Sequence, residues 1–228
     1  MKRLATALAA AAAALSAASA EVVVLNFDDM DGGDIVTNQY EGVRIFGRRV
    51  MRDGTILRNV DRAMVFDTGR LTGEDDDLVG PSASEDGRTS YDPGNVLIVS
   101  EDGDAGDPDD SASGGRLVFR FDEAVTFLGF NAFDINATES ITLQLYGLDG
   151  ALLATVTNGD RTVPDNAYLS FGGLDVAGVA RAVFVLSGSG AIDDVMFDAA
   201  PVPVPAAAFL FAPALAGLGL ARGRRKRA

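Results

Sequence analysis

Arg116-Leu117-Val118-Phe119-Arg120-Phe121 sets Leu117, Phe119 and Phe121 on one side of the chain and Arg116, Val118 and Arg120 on the other. Successive side chains of an extended backbone point to opposite faces, so alternation with one apolar side predicts a half-buried strand. Residues 125–133 extend the pattern on one side. Further along, Ile141, Leu143 and Leu145 alternate with Thr142, Gln144 and Tyr146, and Leu148-Asp149-Gly150-Ala151 supplies a turn into 152–156. Asp-Gly favours the positive φ that such hairpins require. Shorter apolar runs at 22–27, 43–46, 63–66, 96–99, 179–186 and 192–197 complete the series. Many short strands with Gly/Asp turns and no amphipathic helix predict an all-β fold. The expected form is an antiparallel two-sheet sandwich, a jelly roll in the first instance, with an immunoglobulin-like order as the alternative. Residues 68–95, rich in Gly, Asp, Ser and Pro, are expected to form a long loop inside that domain, because strands resume on both sides.

The two ends are of a different character. Lys2 and Arg3, an Ala/Leu run and Ala18-Ser19-Ala20 read as a signal peptide over residues 1–20, taken by the secretion machinery and cut by signal peptidase. At the other end Val202, Pro203, Val204, Pro205 and Ala206 lead into an apolar stretch, 206–221, followed by Arg222, Arg224, Arg225, Lys226 and Arg227. That stretch is short against the roughly 20 residues of a stable span, and Pro213 interrupts it. It suits a single C-terminal hydrophobic helix held in the membrane transiently or permanently, with the basic cluster inside and everything before it outside. The expected division is 1–20 signal peptide, 21–200 ectodomain and 201–228 tail, in a protein of the cell envelope, cell surface or extracellular space.

Every acidic residue lies within 21–200, where twelve Arg face thirty-three Asp and Glu, a net charge of −21. Such a field repels nucleic acid and attracts cations. The absence of cysteine leaves the exported fold without disulfides, and the absence of histidine excludes Ser-His-Asp and Cys-His catalysis and His-ligated metal sites. With no Trp and only Tyr40, Tyr91, Tyr146 and Tyr168, stacking of a sugar on an exposed aromatic plane is weakly provided for.

Two acidic clusters border the long loop: Glu74-Asp75-Asp76-Asp77, and Asp102, Asp104, Asp107, Asp109 and Asp110. Closely spaced carboxylates on Gly/Pro loops suit calcium, which takes six to eight oxygens; the plainer reading is a solvated acidic surface. Asp75, Asp77, Asp107, Asp109 and Asp110 are the candidate calcium ligands. Asp28 and Asp193, in acidic pairs at the domain's first and last strands, are a second candidate set, with turn capping as the alternative. Asp134, inside an apolar strand, is either an outward residue or a buried, hydrogen-bonded carboxylate.

The ends and loops together resemble the PEP-CTERM class of exported bacterial surface proteins, in its VPLPA-CTERM variant. The resemblance rests on residues 202–206, the apolar segment behind them and the Arg/Lys finish, with Val204 where the motif has leucine. It implies processing by an exosortase-type membrane transpeptidase and association with exopolysaccharide. The region 21–198 also resembles a β-sandwich domain of such proteins through Phe66-Asp67-Thr68, Gly94-Asn95-Val96-Leu97-Ile98, Asp107-Pro108-Asp109-Asp110, Gly114-Gly115 and the run 188–194, a resemblance that implies no catalytic activity.

The expected function is therefore a non-enzymatic surface or matrix protein, calcium-stabilised and available for adhesion or exopolysaccharide contact. The alternative is a carboxylate-dependent polysaccharide hydrolase or lyase, since two acids suffice for glycoside cleavage. Mass spectrometry of protein recovered from cells carrying the transpeptidase is expected to find residues 1–20 missing and the chain cut near Ala206. An intact Arg/Lys terminus would instead mean plain anchoring by the tail.

Overall fold

The computed structural model describes residues 21–198 apart from 52, 58–59, 73–74 and 165. The expected signal peptide, the tail with its motif at 202–206, and Glu74 lie outside the described residues. Within them the chain is all β: β1 (Val22–Leu25), β2 (Val43–Arg49), β3 (Ala63–Asp67), β4 (Ser82–Ser84), β5 (Ser90–Tyr91), β6 (Asn95–Val99), β7 (Gly115–Phe133), β8 (Ile141–Tyr146), β9 (Leu152–Thr157), β10 (Ala167–Phe171), β11 (Val176–Leu186) and β12 (Ala191–Asp198). No helix of the described residues is long and apolar enough to cross a membrane.

The strands form one hydrogen-bonded sheet rather than two separate ones, and β7 is the reason. Its first half pairs β2 on one edge and β11 on the other; its second half pairs β12 and β10. One group of strands therefore runs β9-β8-β11-β7-β2, the other β3-β6-β12-β7-β10-β4-β5 with β1 on β12, and all pairs are antiparallel except β4 with β10. Residues 117–121 and 125–133, expected as separate strands, are one strand that carries exposed Asp122 and Glu123 at a register shift, where pairing with β2 ends and pairing with β11 passes from Arg120 to Val125.

The inward side chains of both groups share one core. Phe184 of β11 lies 5.3 Å, ring centre to ring centre, from Phe119 in the first half of β7 and 4.9 Å from Phe130 in the second. Phe121 meets Phe197 at 4.9 Å, and Phe130 stacks on Phe171 at 4.5 Å. A second, smaller core lies on the opposite face of β3 and β6: Met64, Phe66, Val96 and Ile98 pack there with Leu78 and Phe133, against Tyr91 and Tyr168. In β6 Leu97 and Val99 face the main core and Val96 and Ile98 the smaller one, which is why these strands read as continuous apolar runs. Residues 68–95, expected as a loop, supply part of the cover and contain the short pair β4–β5.

The predicted hairpin is present, with Gly150 at φ +79° and Asp149 Oδ1 accepting the Ala151 N–H at 2.9 Å. Strand β10 escaped prediction although Ala167, Leu169 and Phe171 alternate inward.

Because Phe184 is fully buried where both halves of β7 meet, Phe184→Ala is expected to lower stability in denaturant unfolding by about 3–5 kcal/mol. Leu148→Ala, at a position 79% exposed, is expected to change it by no more than about 0.5 kcal/mol.

Candidate metal centre

The two sequence-distant acidic clusters meet at one end of β6. Strand pairing continues past β6 through Ser100 and Asp110, with Ser111 N donating to Val99 O and Glu101 N to Asp109 O. This short ladder carries Asp110 inward to where β7 ends and β12 begins. There the Asp110 carboxylate accepts hydrogen bonds from Gly190 N (2.5 Å) and from Ser189 Oγ (2.9 Å to Oδ2), and its own N–H donates to Asp75 Oδ2 at 2.6 Å. Ser189 Oγ also lies 3.2 Å from Asp134 Oδ2. Gly190 has φ +129°, and a Cβ there would stand 2.9 Å from Phe133 O, so the contact that holds Asp110 requires glycine.

Asp110 and Asp134 are almost completely buried, which makes Asp134 the hydrogen-bonded carboxylate of the two alternatives. Burial, reinforced by Asp75 and Asp77, drives the Asp110 carboxyl well above the ordinary range. Burial also pushes Asp75 up to about 6, with Asp77, Asp109 and Glu101 adding to it. Asp109 is raised by burial and by Asp102, Glu101 and Asp107, and its Oδ1 is buried without a hydrogen-bond partner. The ion pair in this neighbourhood joins Arg49 to Glu101 at 2.7 Å. The structure thus puts Asp75 in hydrogen-bond contact with Asp110 across the long loop, with Asp77 and Asp109 near enough to raise the Asp75 carboxyl, while Asp107 stays exposed. Among the described residues no three acidic side chains are already gathered into a coordination group.

The second candidate pair sits where β1 runs beside β12. Asp28 accepts from Asn95 N (2.9 Å) and Asn26 Nδ2 (2.9 Å) and so braces a turn. It also borders an open cleft of about 480 Å³ with Asp31, Asp67 and Asp92, residues not singled out from sequence. Asp193 is fully buried; β12 bulges between Asp193 and Met196, and Asp194 takes φ +48° there. Tyr91 Oη lies 3.0 Å from Asp193 Oδ2 and 2.8 Å from Asp194 Oδ2, and Asn131 Nδ2 donates to Asp194 at 3.0 Å. A phenol has one proton to donate, so Tyr91 shares it between the two carboxyls unless one of them is protonated and donates back. Asp193 fits that role, because burial and then Asp194 push it up to about 8.

No protein-family model matches the chain, and no curated protein matches it. Among solved structures it is similar to a DUF4465 family protein from Bacteroides caccae, at 12% identity and TM-score 0.40, over 78% of this chain and 98% of that one. It is also similar to TmCBM61, solved in complex with β-1,4-galactotriose, at 10% identity and TM-score 0.33, over 75% of this chain and 100% of that one.

A carboxyl whose pKa is higher folded than unfolded stabilises the fold fully only below its unfolded value and loses that effect as pH rises through the folded one. In EDTA the melting temperature is therefore expected to fall between about pH 4 and pH 8, through 6 for Asp75 and 8 for Asp193. Asp193→Asn is expected to flatten the fall above pH 6 by several degrees, since one pKa unit is about 1.4 kcal/mol and 1 kcal/mol about 2–4 °C at this size. An unchanged profile would show that Asp193 ionises normally.

Proposed function

We propose that this chain is an exported, non-enzymatic cell-surface or matrix protein whose β-sandwich ectodomain, of jelly-roll type, is stabilised by calcium and contacts exopolysaccharide, and whose tail is processed by an exosortase-type transpeptidase. The observation that carries the non-enzymatic reading is where the acids are. Asp110, Asp134 and Asp193 are buried and bound to a glycine N–H, a serine or a tyrosine at strand ends, and of the acids that do border the open cleft, Asp28, Asp67 and Asp92 accept from the backbone N–H groups of Asn95, Gly69 and Gly94. Glycoside cleavage needs two carboxyls that flank a substrate cleft; these brace the scaffold instead.

In this reading calcium draws the acids at the end of β6 together, where the described residues hold no preformed group of three. Asp75, Asp77, Asp109 and Asp110 would hold it, hard oxygens being its preferred ligands, and it would supply the charge that protons otherwise provide there. Its binding to the folded state alone would add stability by mass action. Extracellular calcium sites bind with dissociation constants of roughly 10⁻⁴ to 10⁻³ M, so millimolar calcium contributes about 1 kcal/mol per site.

Thermal unfolding in millimolar calcium, against magnesium at matched ionic strength, is expected to show a calcium-specific rise that Asp109→Asn with Asp110→Asn abolishes. Equal effects of the two ions would leave the cluster without a calcium site. Release of reducing ends from acidic or neutral polysaccharides, lost on Asp→Asn substitution, would overturn the non-enzymatic reading.

A further inference from the structure

Five of the twelve ectodomain arginines stand on one sheet face. Strand register puts Arg44 of β2 opposite Arg120 of β7, Arg120 opposite Arg181 of β11, and Arg181 opposite Tyr146 of β8. Four residues along β7, Arg116 lies opposite Arg48. Adjacent strands are about 4.8 Å apart and four strand residues span about 13 Å, so two like-charged rows cross the face. Between them lies a cavity of about 250 Å³ bordered by Phe46, Arg48, Arg116, Arg120, Tyr146 and Arg181, with Val118 and Val183 in its lining.

Like charges directly opposite across strands are destabilising, and a domain of net charge −21 has carboxylates in excess to pair with them. It does not use them here. Among the described residues no ion pair joins any of the five to an acid, and Arg181 Nε is buried without a hydrogen-bond partner. Three of the guanidinium groups rest on aromatic rings instead: Arg48 and Arg120 lie 4.8 and 5.2 Å from the centre of the Phe46 ring, and Arg181 lies 4.2 Å from that of Tyr146, Arg48 also donating from Nη1 to the Gly47 and Val60 carbonyls. Stacking on a ring leaves the in-plane N–H donors of a guanidinium available for a planar or tetrahedral oxyanion.

We propose that this face binds an anionic glycan, its carboxylate or sulfate groups on the two arginine rows and its sugar rings over the apolar floor between them. Separated charges on a body with apolar faces match both features at once. Nucleic acid, a closely spaced polyanion, is opposed by the field of the whole domain, whereas a uronate chain carries one carboxylate per ring and is opposed less. The proposal rests on the reading of the protein as one that contacts polysaccharide, and adds the chemical class and the residues.

Titration calorimetry of the full chain at low ionic strength, with oligogalacturonate, a sulfated heparin oligosaccharide, a neutral galactan oligosaccharide and single-stranded DNA, tests it. At least one anionic glycan is expected to bind in preference to the neutral one and to DNA, the two anionic arms separating carboxylate from sulfate. Arg120→Gln with Arg181→Gln is expected to weaken that binding about tenfold or more, the loss of about 1.4 kcal/mol or more, with a melting temperature equal to or above wild type because the repulsive row is relieved. Arg44→Gln, exposed at the edge, is expected to weaken binding less, and Arg88→Gln, paired with Asp86 elsewhere, not at all. Unchanged anionic-glycan binding in the folded double variant, or tighter binding of DNA, overturns the proposal. Binding of neutral glycan alone overturns the arginine site and leaves polysaccharide contact standing; no binding of any glycan overturns both.

Discussion

Everything in this fold hangs on β7, of 19 residues, having hydrogen-bonded neighbours on both edges in each of its halves. A strand paired on both edges cannot slip by one residue without turning its whole apolar set outward. The alternation of Leu117, Phe119 and Phe121 with Arg116, Val118 and Arg120 therefore sets the register of β2 and β11 as well as its own. Phe184, in contact with rings from both halves of β7, closes the two strand groups around one core without a disulfide.

That arrangement sorts the charges. Strand ends and their connections take the acids, where serine, glycine and tyrosine groups meet them, while the outward positions of β2, β7 and β11 take the arginines. Asp75, Asp109, Asp110 and Asp193 are held above the ordinary carboxyl range because burial removes water and adjacent carboxylates repel. The arginine face shows the converse economy: its cations rest on rings and not on the acids the domain has in surplus. Both departures from simple pairing lie where we propose an external ion, a cation at the end of β6 and an anion on the outer sheet.

Much of the strand content was legible because inward and outward residues differ in polarity. The alternation at 117–121 and 141–145 and the Asp-Gly hairpin needed no tertiary information. The break placed between 121 and 125 was not real, because exposed Asp122 and Glu123 are compatible with a turn and with a bent strand alike. β4 and β5 were invisible, being short segments of mostly small or polar residues held by pairing partners distant in sequence. The apolar run of β6 carried a signal not used: a strand buried on both faces demands a cover, and Leu78 and Tyr91 from 68–95 help to supply it. Among site residues, the meeting of Asp75 with Asp110 was readable from two acidic clusters flanking one loop, whereas the roles of Ser189, Gly190 and Tyr91 follow from contacts that composition does not encode. Arg116 and Arg120 were readable as outward; their alignment with Arg44, Arg48 and Arg181 depends on pairings among three strands.

The central claim is that a cation joins the loop clusters to the sheet end and that the buried acids are structural. Hydrogen exchange of the folded protein in EDTA and in millimolar calcium addresses it most directly. The account predicts that calcium slows exchange selectively in segments 75–80, 101–111 and 189–194, with little change in β2 and in the first half of β7. Equal exchange in the two conditions, or slowing spread evenly over the domain, would contradict it.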